Sequence, residues 1–259
     1  MLVDYLSDLH LEFHSKYPLL PKSSAEILVL AGDIGYPSHK NWIDFLHYCK
    51  TQYKYVLYVA GNHEYYSRKK TYAAINQLIA ESCARLGIIF LDNKSWIKDG
   101  VKFTGTTLWS HIPDESAHIV GTIINDYVMI QKEVKISDTG RPCYTPVTVN
   151  DTNQMNKTAS DFLIEELKCA ETAVVITHHV PLYCRELVPE RYRGDPCWSA
   201  FNNHTIDSLV DSADYWIFGH SHQEFTYKHG KCQLVSNPYD YPLRKNEFPH
   251  LKLRQIKVV

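Results

Sequence analysis

Apolar residues recur along the first ninety positions in short runs separated by helical stretches. LVDYL (2–6), ILVLAGD (27–33) and YVLYVAG (55–61) read as buried strands. Between the second and third, residues 39–51 carry Trp42, Phe45, Leu46 and Cys49 on one stripe, which predicts an amphipathic helix. Residues 67–86 predict a second helix, opened by Ser67 as N-cap and stopped by Gly87. IIFLD (88–92), SWIKD (95–99) and VKFTGTTLW (101–109) read as strands, the last two joined by a turn at Asp99-Gly100. Residues 110–150 scatter Pro, Gly and Asp and form the least regular part, an insertion or a lid. A helix over 151–169 follows, then strands TAVVITHH (172–179) and DYWIFGHSH (214–222), then two strands around a turn at His229-Gly230. No internal repeat or low-complexity linker divides the chain. The expectation is one α/β domain over 1–259: a four-layer α/β/β/α sandwich of two mixed β-sheets flanked by helices.

Composition narrows the class. The chain has 259 residues, 44% hydrophobic and 22% charged, with net charge −2 and a pI of about 6.7. That balance argues against a broad nucleic-acid-binding face. No apolar run reaches the roughly 18–20 residues of a membrane helix. The first ten residues lack a basic start and meet acids at once, unlike a signal peptide. Seven cysteines are scattered, with no C-x-x-C pair. They read as reduced thiols of a cytoplasmic protein, neither a disulfide frame nor a zinc site.

The polar residues gather where strands end. Asp8 and His10 follow the first strand, Asp33 the second, Asn62 and His63 the third, His178 and His179 a fourth, His220 and His222 a fifth. Carboxyl ends of strands are where ligands bind in open α/β sheets. Two-residue spacing in an extended chain puts Asp8 with His10, and His220 with His222, on one face. Glycines before Asp33, Asn62 and His220 permit sharp turns or close backbone approach. Taken singly, each block has an ordinary reading: Asp8 a cap, Gly-Asp a turn, the histidines core or surface residues. Taken together, buried ionisable groups without a partner would cost several kcal/mol each, roughly, and a metal pair removes that cost. Mixed oxygen and imidazole donors without thiolate suit Mn²⁺, Fe, Zn²⁺ or Co²⁺.

DLH (8–10), GD (32–33), GNHE (61–64), the single His178 and GHSH (219–222), in this order, resemble the calcineurin-like metallophosphoesterase superfamily. NDY (125–127), RYRGDP (191–196), SAF (199–201) and SNPYDYP (236–242) further resemble its small bacterial-type members. The resemblance implies a dimetal site at the carboxyl ends of the strands. Asp8, His10, Asp33 and His222 would hold one ion. Asp33, Asn62, His178 and His220 would hold the other, with Asp33 bridging. His179 matches no ligand position and reads as a second layer or a pocket wall. Two dications against two carboxylates and a bridging hydroxide leave a net-positive site that attracts a phosphate ester. GDIGY also fits the G-D-x-x-Y of purple acid phosphatases, whose Tyr binds Fe³⁺. Those enzymes lack the His of D-x-H, so Tyr36 is read as a packing or hydrogen-bonding residue.

The function this implies is metal-dependent hydrolysis of a small soluble phosphomonoester or phosphodiester. The bridging hydroxide would attack phosphorus with His63 as general acid. Glu64 would orient or polarise His63, or cap the next helix. Relatives often carry Arg where this chain has Val128 and Tyr239. Arg185, Arg191 and Arg193 are alternative cations or solvated surface residues, His111 and Tyr183 are candidate walls, and Trp109 reads first as a packing residue and second as a wall. A nuclease of the same chemistry and a non-catalytic scaffold of the same fold stand as alternatives.

Overall fold

The computed structural model describes all residues except 136–141, 169–170, 184, 188–189, 191–192, 196, 204, 242–247 and 249–250. Two sheets stack face to face. The first holds parallel strands β1 (Leu2–Leu6), β2 (Ile27–Ala31), β3 (Tyr55–Val59) and β4 (Ile89–Phe90). The last strand in sequence, β13 (Arg254–Lys257), closes its edge antiparallel to β1. The second sheet runs β11 (Phe225–His229), β12 (Cys232–Ser236), β10 (Tyr215–Phe218), β9 (Thr172–Thr177), β6 (Val101–Thr106) and β5 (Lys94–Lys98), with β11 and β5 as antiparallel edges. The expected mixture of parallel and antiparallel pairing is present in both.

Alternation builds the layers. Val3, Tyr5, Ile27, Val29, Ala31, Leu57 and Val59 turn inward and meet Phe103, Val174, Ile176, Ile217 and Val235 of the second sheet. Their neighbours Leu28, Leu30, Val56 and Tyr58 turn outward under α1 (Lys40–Gln52) and α2 (Tyr72–Leu86). Trp42, Phe45, Leu46 and Cys49 form the buried stripe of α1, as their spacing predicts. On the far side, Ala173, Val175, Trp216, Phe218 and Leu234 pack under α5 (Val149–Leu167) and α6 (Asp207–Val210). This is the four-layer sandwich.

Three expectations are corrected. The cap of α2 is Thr71, whose Oγ1 accepts from the Ala74 amide, while Ser67 Oγ takes the amides of Lys69 and Lys70 in a turn of its own. Gly87 does end the helix, at φ +68°. Residues 110–150 are more regular than their composition suggests: α3 (Asp114–Ile123), α4 (Asp126–Met129) and a hairpin of β7 (Gln131–Lys135) with β8 (Pro142–Pro146). The strands also stop short: β2, β3, β6, β9 and β10 each end before the last residue of the run read as strand. The extended-chain argument for Asp8/His10 and His220/His222 therefore fails. All four lie in the left-handed region, at φ +54°, +47°, +65° and +51°, and Asp33 joins them at +53°. Such conformations cost on the order of 1–3 kcal/mol each and cluster at functional sites.

Candidate metal centre

The strand-end turns of both sheets converge on one point. Ligand atoms of Asp8, His10, Asp33 and His222 lie within 4.8 Å of one another, and so do those of Asp33, His178 and His220. Asp33 belongs to both groups and is buried, as are Asp8, His10 and His178. Asn62 completes the second group, its Oδ1 3.1 Å from His178 Nε2. Gly61 makes the approach possible: a Cβ there would stand 2.2 Å from Asp33 Oδ1.

The hydrogen bonds decide which atoms face the centre. A carboxylate or carbonyl oxygen only accepts, so each ring nitrogen against one must donate. His10 Nδ1 donates to Glu12 Oε1 at 3.0 Å, and His222 Nδ1 to Asp240 Oδ1 at 2.6 Å. His178 Nδ1 donates to the Ala31 carbonyl at 3.0 Å, and His220 Nε2 to the Ala200 carbonyl at 3.2 Å. The remaining nitrogens then face inward, toward one another and toward the carboxylates. His10 Nε2 and His222 Nε2 face each other at 3.2 Å. His178 Nε2 faces Asn62 Oδ1 at 3.1 Å and Asp33 Oδ1 at 3.4 Å. Nitrogens and acceptor oxygens gathered this closely need positive charge among them, a proton in the metal-free protein or a metal ion when bound. Outer partners of this kind are the rule for metal-ligating histidines. The donor set fits a pair of divalent ions.

Charge on the metal-free site follows the same geometry. Burial works against ionising Asp33, but His178 and His63 outweigh it and hold its carboxyl well below the usual range. Burial likewise opposes the charged form of His178, and Asp33 overrides it, lifting the ring to about 10. His179 goes the other way, down to about 3, through burial and the adjacent His178. It is a neutral prop: its ring packs 4.2 Å from that of His220, and Nδ1 meets the Thr107 carbonyl.

His63 stands beside the centre. Its ring stacks on Tyr66 at 4.3 Å. Nδ1 donates to Glu12 Oε1 at 2.9 Å, and Nε2 meets the Tyr241 hydroxyl at 3.2 Å. Burial opposes its charge, yet Asp33 and Glu12 raise it to about 9. Glu64 does not touch this ring, which corrects the expectation that it orients His63. Its carboxylate takes the amides of Gly61, Asp33, Ile34 and Gly35 and the hydroxyl of Tyr58. Glu64 thus pins the second and third strand-end turns together.

A cavity of about 150 Å³ opens over the centre, lined by Asp33, Asn62, His63, His220 and His222, with Tyr66, Ile124, Asn125, Asp126, Phe201 and Tyr241 around them. Residues 124–126 thus bring the 110–150 segment to the site. Asp126 Oδ1 accepts from Asn62 Nδ2 at 2.8 Å and from Tyr66 Oη at 2.6 Å, which turns Asn62 Oδ1 to the centre. Trp109 packs, as its first reading has it, and the candidate walls His111 and Tyr183 lie elsewhere. Trp109 is buried against Tyr65, Tyr72 and His179, Tyr183 packs near Trp198, and neither they nor His111 line the cavity. Tyr36 meets His39 edge-on at 5.2 Å. Val128 is exposed on α4, and Tyr239 packs on Phe248. Among the described lining residues there is no Arg or Lys; Arg185 and Arg193 are not among them, and Arg191 lies outside the described residues.

Sequence reasoning missed Glu12, Asp126, Asp240 and Tyr241. Glu12 carried a signal, two positions after His10. Asp126 and Asp240 sat inside quoted stretches without a role.

The family model described as calcineurin-like phosphoesterase matches residues 1–224. A relative from Acanthamoeba polyphaga mimivirus, the uncharacterized protein L509, is 30% identical over 269 residues, covering 95% of this chain and 94% of that protein. Among solved structures, the phosphopantetheinyl hydrolase PptH from Mycobacterium tuberculosis gives a TM-score of 0.69 at 17% identity, covering 98% of this chain and 95% of that one. At that identity the likeness is one of fold.

Proposed function

The chain belongs to the calcineurin-like phosphoesterase family, metal-dependent hydrolases of phosphoester bonds, and on that premise we propose that it cleaves a small soluble phosphomonoester or phosphodiester with His63 as the leaving-group acid. The observation that carries this reading is the gathering of imidazole nitrogens and carboxylate oxygens around Asp33, which suits cations at its heart. Asp8, His10, Asp33 and His222 would hold one ion, and Asp33, Asn62, His178 and His220 the other. Two divalent ions, when bound, supply Lewis acidity toward phosphoryl oxygens and make water available as hydroxide near neutral pH.

The chain's own residues supply the rest. Asp33 would serve both ion positions, and its Oδ1 takes the His63 amide at 2.9 Å, which ties the acid's backbone to that carboxylate. Because Nδ1 of His63 is committed to Glu12, its transferable proton sits on Nε2, at the cavity. As the bond from phosphorus to the leaving oxygen breaks, that oxygen takes the Nε2 proton and the ring is left neutral. Tyr66, stacked on the ring, holds its plane. Phe201 and Ile124 give the cavity an apolar side that suits an uncharged leaving group. A cytoplasmic setting and Mn²⁺ as working metal belong to the same proposal. Among the described residues, no helix is long and apolar enough to cross a membrane.

The test strips the protein with chelator, restores Mn²⁺, and assays p-nitrophenyl phosphate beside bis(p-nitrophenyl) phosphate. Asp33→Asn is the control. Mn²⁺-dependent turnover that disappears in the variant is the expected result, and the faster ester tells phosphatase from phosphodiesterase. Metal binding without turnover of either ester, or of a metabolite library, would favour the scaffold.

A further inference from the structure

One buried carboxylate oxygen serves two imidazoles. Glu12 Oε1 accepts from His10 Nδ1 at 3.0 Å and from His63 Nδ1 at 2.9 Å, and the Glu12 side chain is 2% exposed. The two rings stand edge to face, centroids 4.4 Å apart. Neighbouring groups are committed elsewhere. Glu64 is engaged by four backbone amides and the Tyr58 hydroxyl. The Oδ1 of Asp33 meets the His63 backbone. The Tyr66 side chain stacks its ring on His63 and gives its hydroxyl to Asp126.

The tautomer of a histidine is set by the hydrogen bond its other nitrogen makes. An acceptor at Nδ1 forces the proton there and leaves Nε2 for the opposite task. We propose that Glu12 is a positioning residue that fixes both tautomers through one oxygen. It keeps His10 Nε2 bare for a metal ion, and it keeps His63 Nε2 as the atom that gives up a proton. The part concerning His63 rests on the leaving-group reading above; the part concerning His10 stands without it. Ion loading and proton delivery are then set by a single side chain that contacts neither phosphorus nor the leaving oxygen.

The coupling has a distinctive signature. A general acid contributes roughly 10²–10⁴-fold, and the contribution shrinks for a leaving group that departs unaided. Glu12→Ala should therefore lower kcat on an alkyl phosphate ester by roughly 10²-fold more than on the p-nitrophenyl ester. Outer partners of ligating histidines are worth roughly 10–100-fold in metal affinity, so Mn²⁺ binding by titration calorimetry should weaken by that factor. The readout independent of turnover is ¹⁵N-histidine NMR of the Zn²⁺-loaded protein. In wild type, the Nδ1–H protons of His10 and His63 should both resonate far downfield and exchange slowly, held by Glu12, and in Glu12→Ala both should lose that hydrogen-bonded signature.

Should Glu12→Ala fail to fold, Glu12→Gln keeps the size and brings a competing amide donor. It is expected to shift both ring signatures and to widen the gap between the two esters. Unchanged ring signatures in a folded variant, or equal losses on both esters, would overturn the proposal. If wild type binds Mn²⁺ but cleaves neither ester, the hydrolase reading alone fails. The ring signatures and Mn²⁺ affinities then decide on Glu12 at His10.

Discussion

Glu64 follows His63 directly, yet its work lies in the backbone, and its substitution separates the two roles. Glu64 is 1% exposed. Oε2 takes the amides of Gly61 at 2.7 Å and Asp33 at 2.9 Å, while Oε1 takes Ile34 at 2.7 Å and Tyr58 Oη at 2.7 Å, with Gly35 at 3.4 Å. Burial and the nearby Asp33 push its pKa up to about 7, and these donors pull the other way. Glu64→Ala would strand four amides and a phenol, each at about 1–3 kcal/mol. That rivals the roughly 5–15 kcal/mol that holds a domain together, so little folded protein is expected. Glu64→Gln is gentler. One end of the amide still accepts, while the other turns N–H groups toward two N–H donors, a loss of about 2–6 kcal/mol. At about 2–4 °C per kcal/mol for a large domain, Tm should fall by roughly 5–20 °C. The assay is thermal denaturation followed by circular dichroism, with Mn²⁺-dependent turnover measured well below the new Tm. A Glu64→Gln protein that melts within about 2 °C of wild type yet loses turnover would refute this reasoning and return Glu64 to the service of His63.

Gly61→Ala drives a methyl into Asp33 and His178, with the new carbon 2.2 Å from Asp33 Oδ1 and 2.7 Å from His178 Nε2; Mn²⁺ binding should be abolished by calorimetry, and retained affinity would contradict the packing. Asp126→Ala releases the Asn62 amide, so one of two Mn²⁺ equilibria should weaken roughly 10–100-fold while the other holds; uniform weakening of both would count against the assignment. For pH, the ring of His178 is raised to about 10 in the metal-free protein, above the ordinary histidine value of about 6.5. A raised pKa gives stability that is complete below about 6.5 and is lost as pH climbs through the folded value. Chelated protein should therefore lose Tm steadily from about pH 6.5 to 10, by differential scanning fluorimetry; a flat profile would exclude the Asp33–His178 pair as its source.

The layers were legible because alternation carries their cause. Ile27, Val29 and Ala31 serve the core between sheets and Leu28 and Leu30 the core under α1 and α2, so the run 27–31 has to be apolar throughout. The blocks around Asp8, Asp33, Asn62, His178 and His220 were legible as strand ends for the same reason. Their local geometry was not. A spacing of two looks alike in an extended chain and in a left-handed turn, and the turn is imposed by amides gathered on Glu64 and Asp8 from distant positions. The outer carboxylates were hidden for a related reason. Glu12 meets a ring 51 positions away, and Asp126 meets an amide 64 positions away. No local pattern pairs them. Thr71 displaced Ser67 as helix cap because both open plausible turns, and only the backbone decides which continues.

Both sheets contribute to the metal centre, and this bears on the order of folding. His10 and His222 meet across 212 positions, and His178 and Asn62 across 116. Contacts so distant in sequence form late, after loop closure has been completed. The complete donor set therefore exists only once the two sheets have docked. Bound ions would then latch a finished sandwich, and are expected to slow the unfolding limb of the chevron while leaving the folding limb where it is.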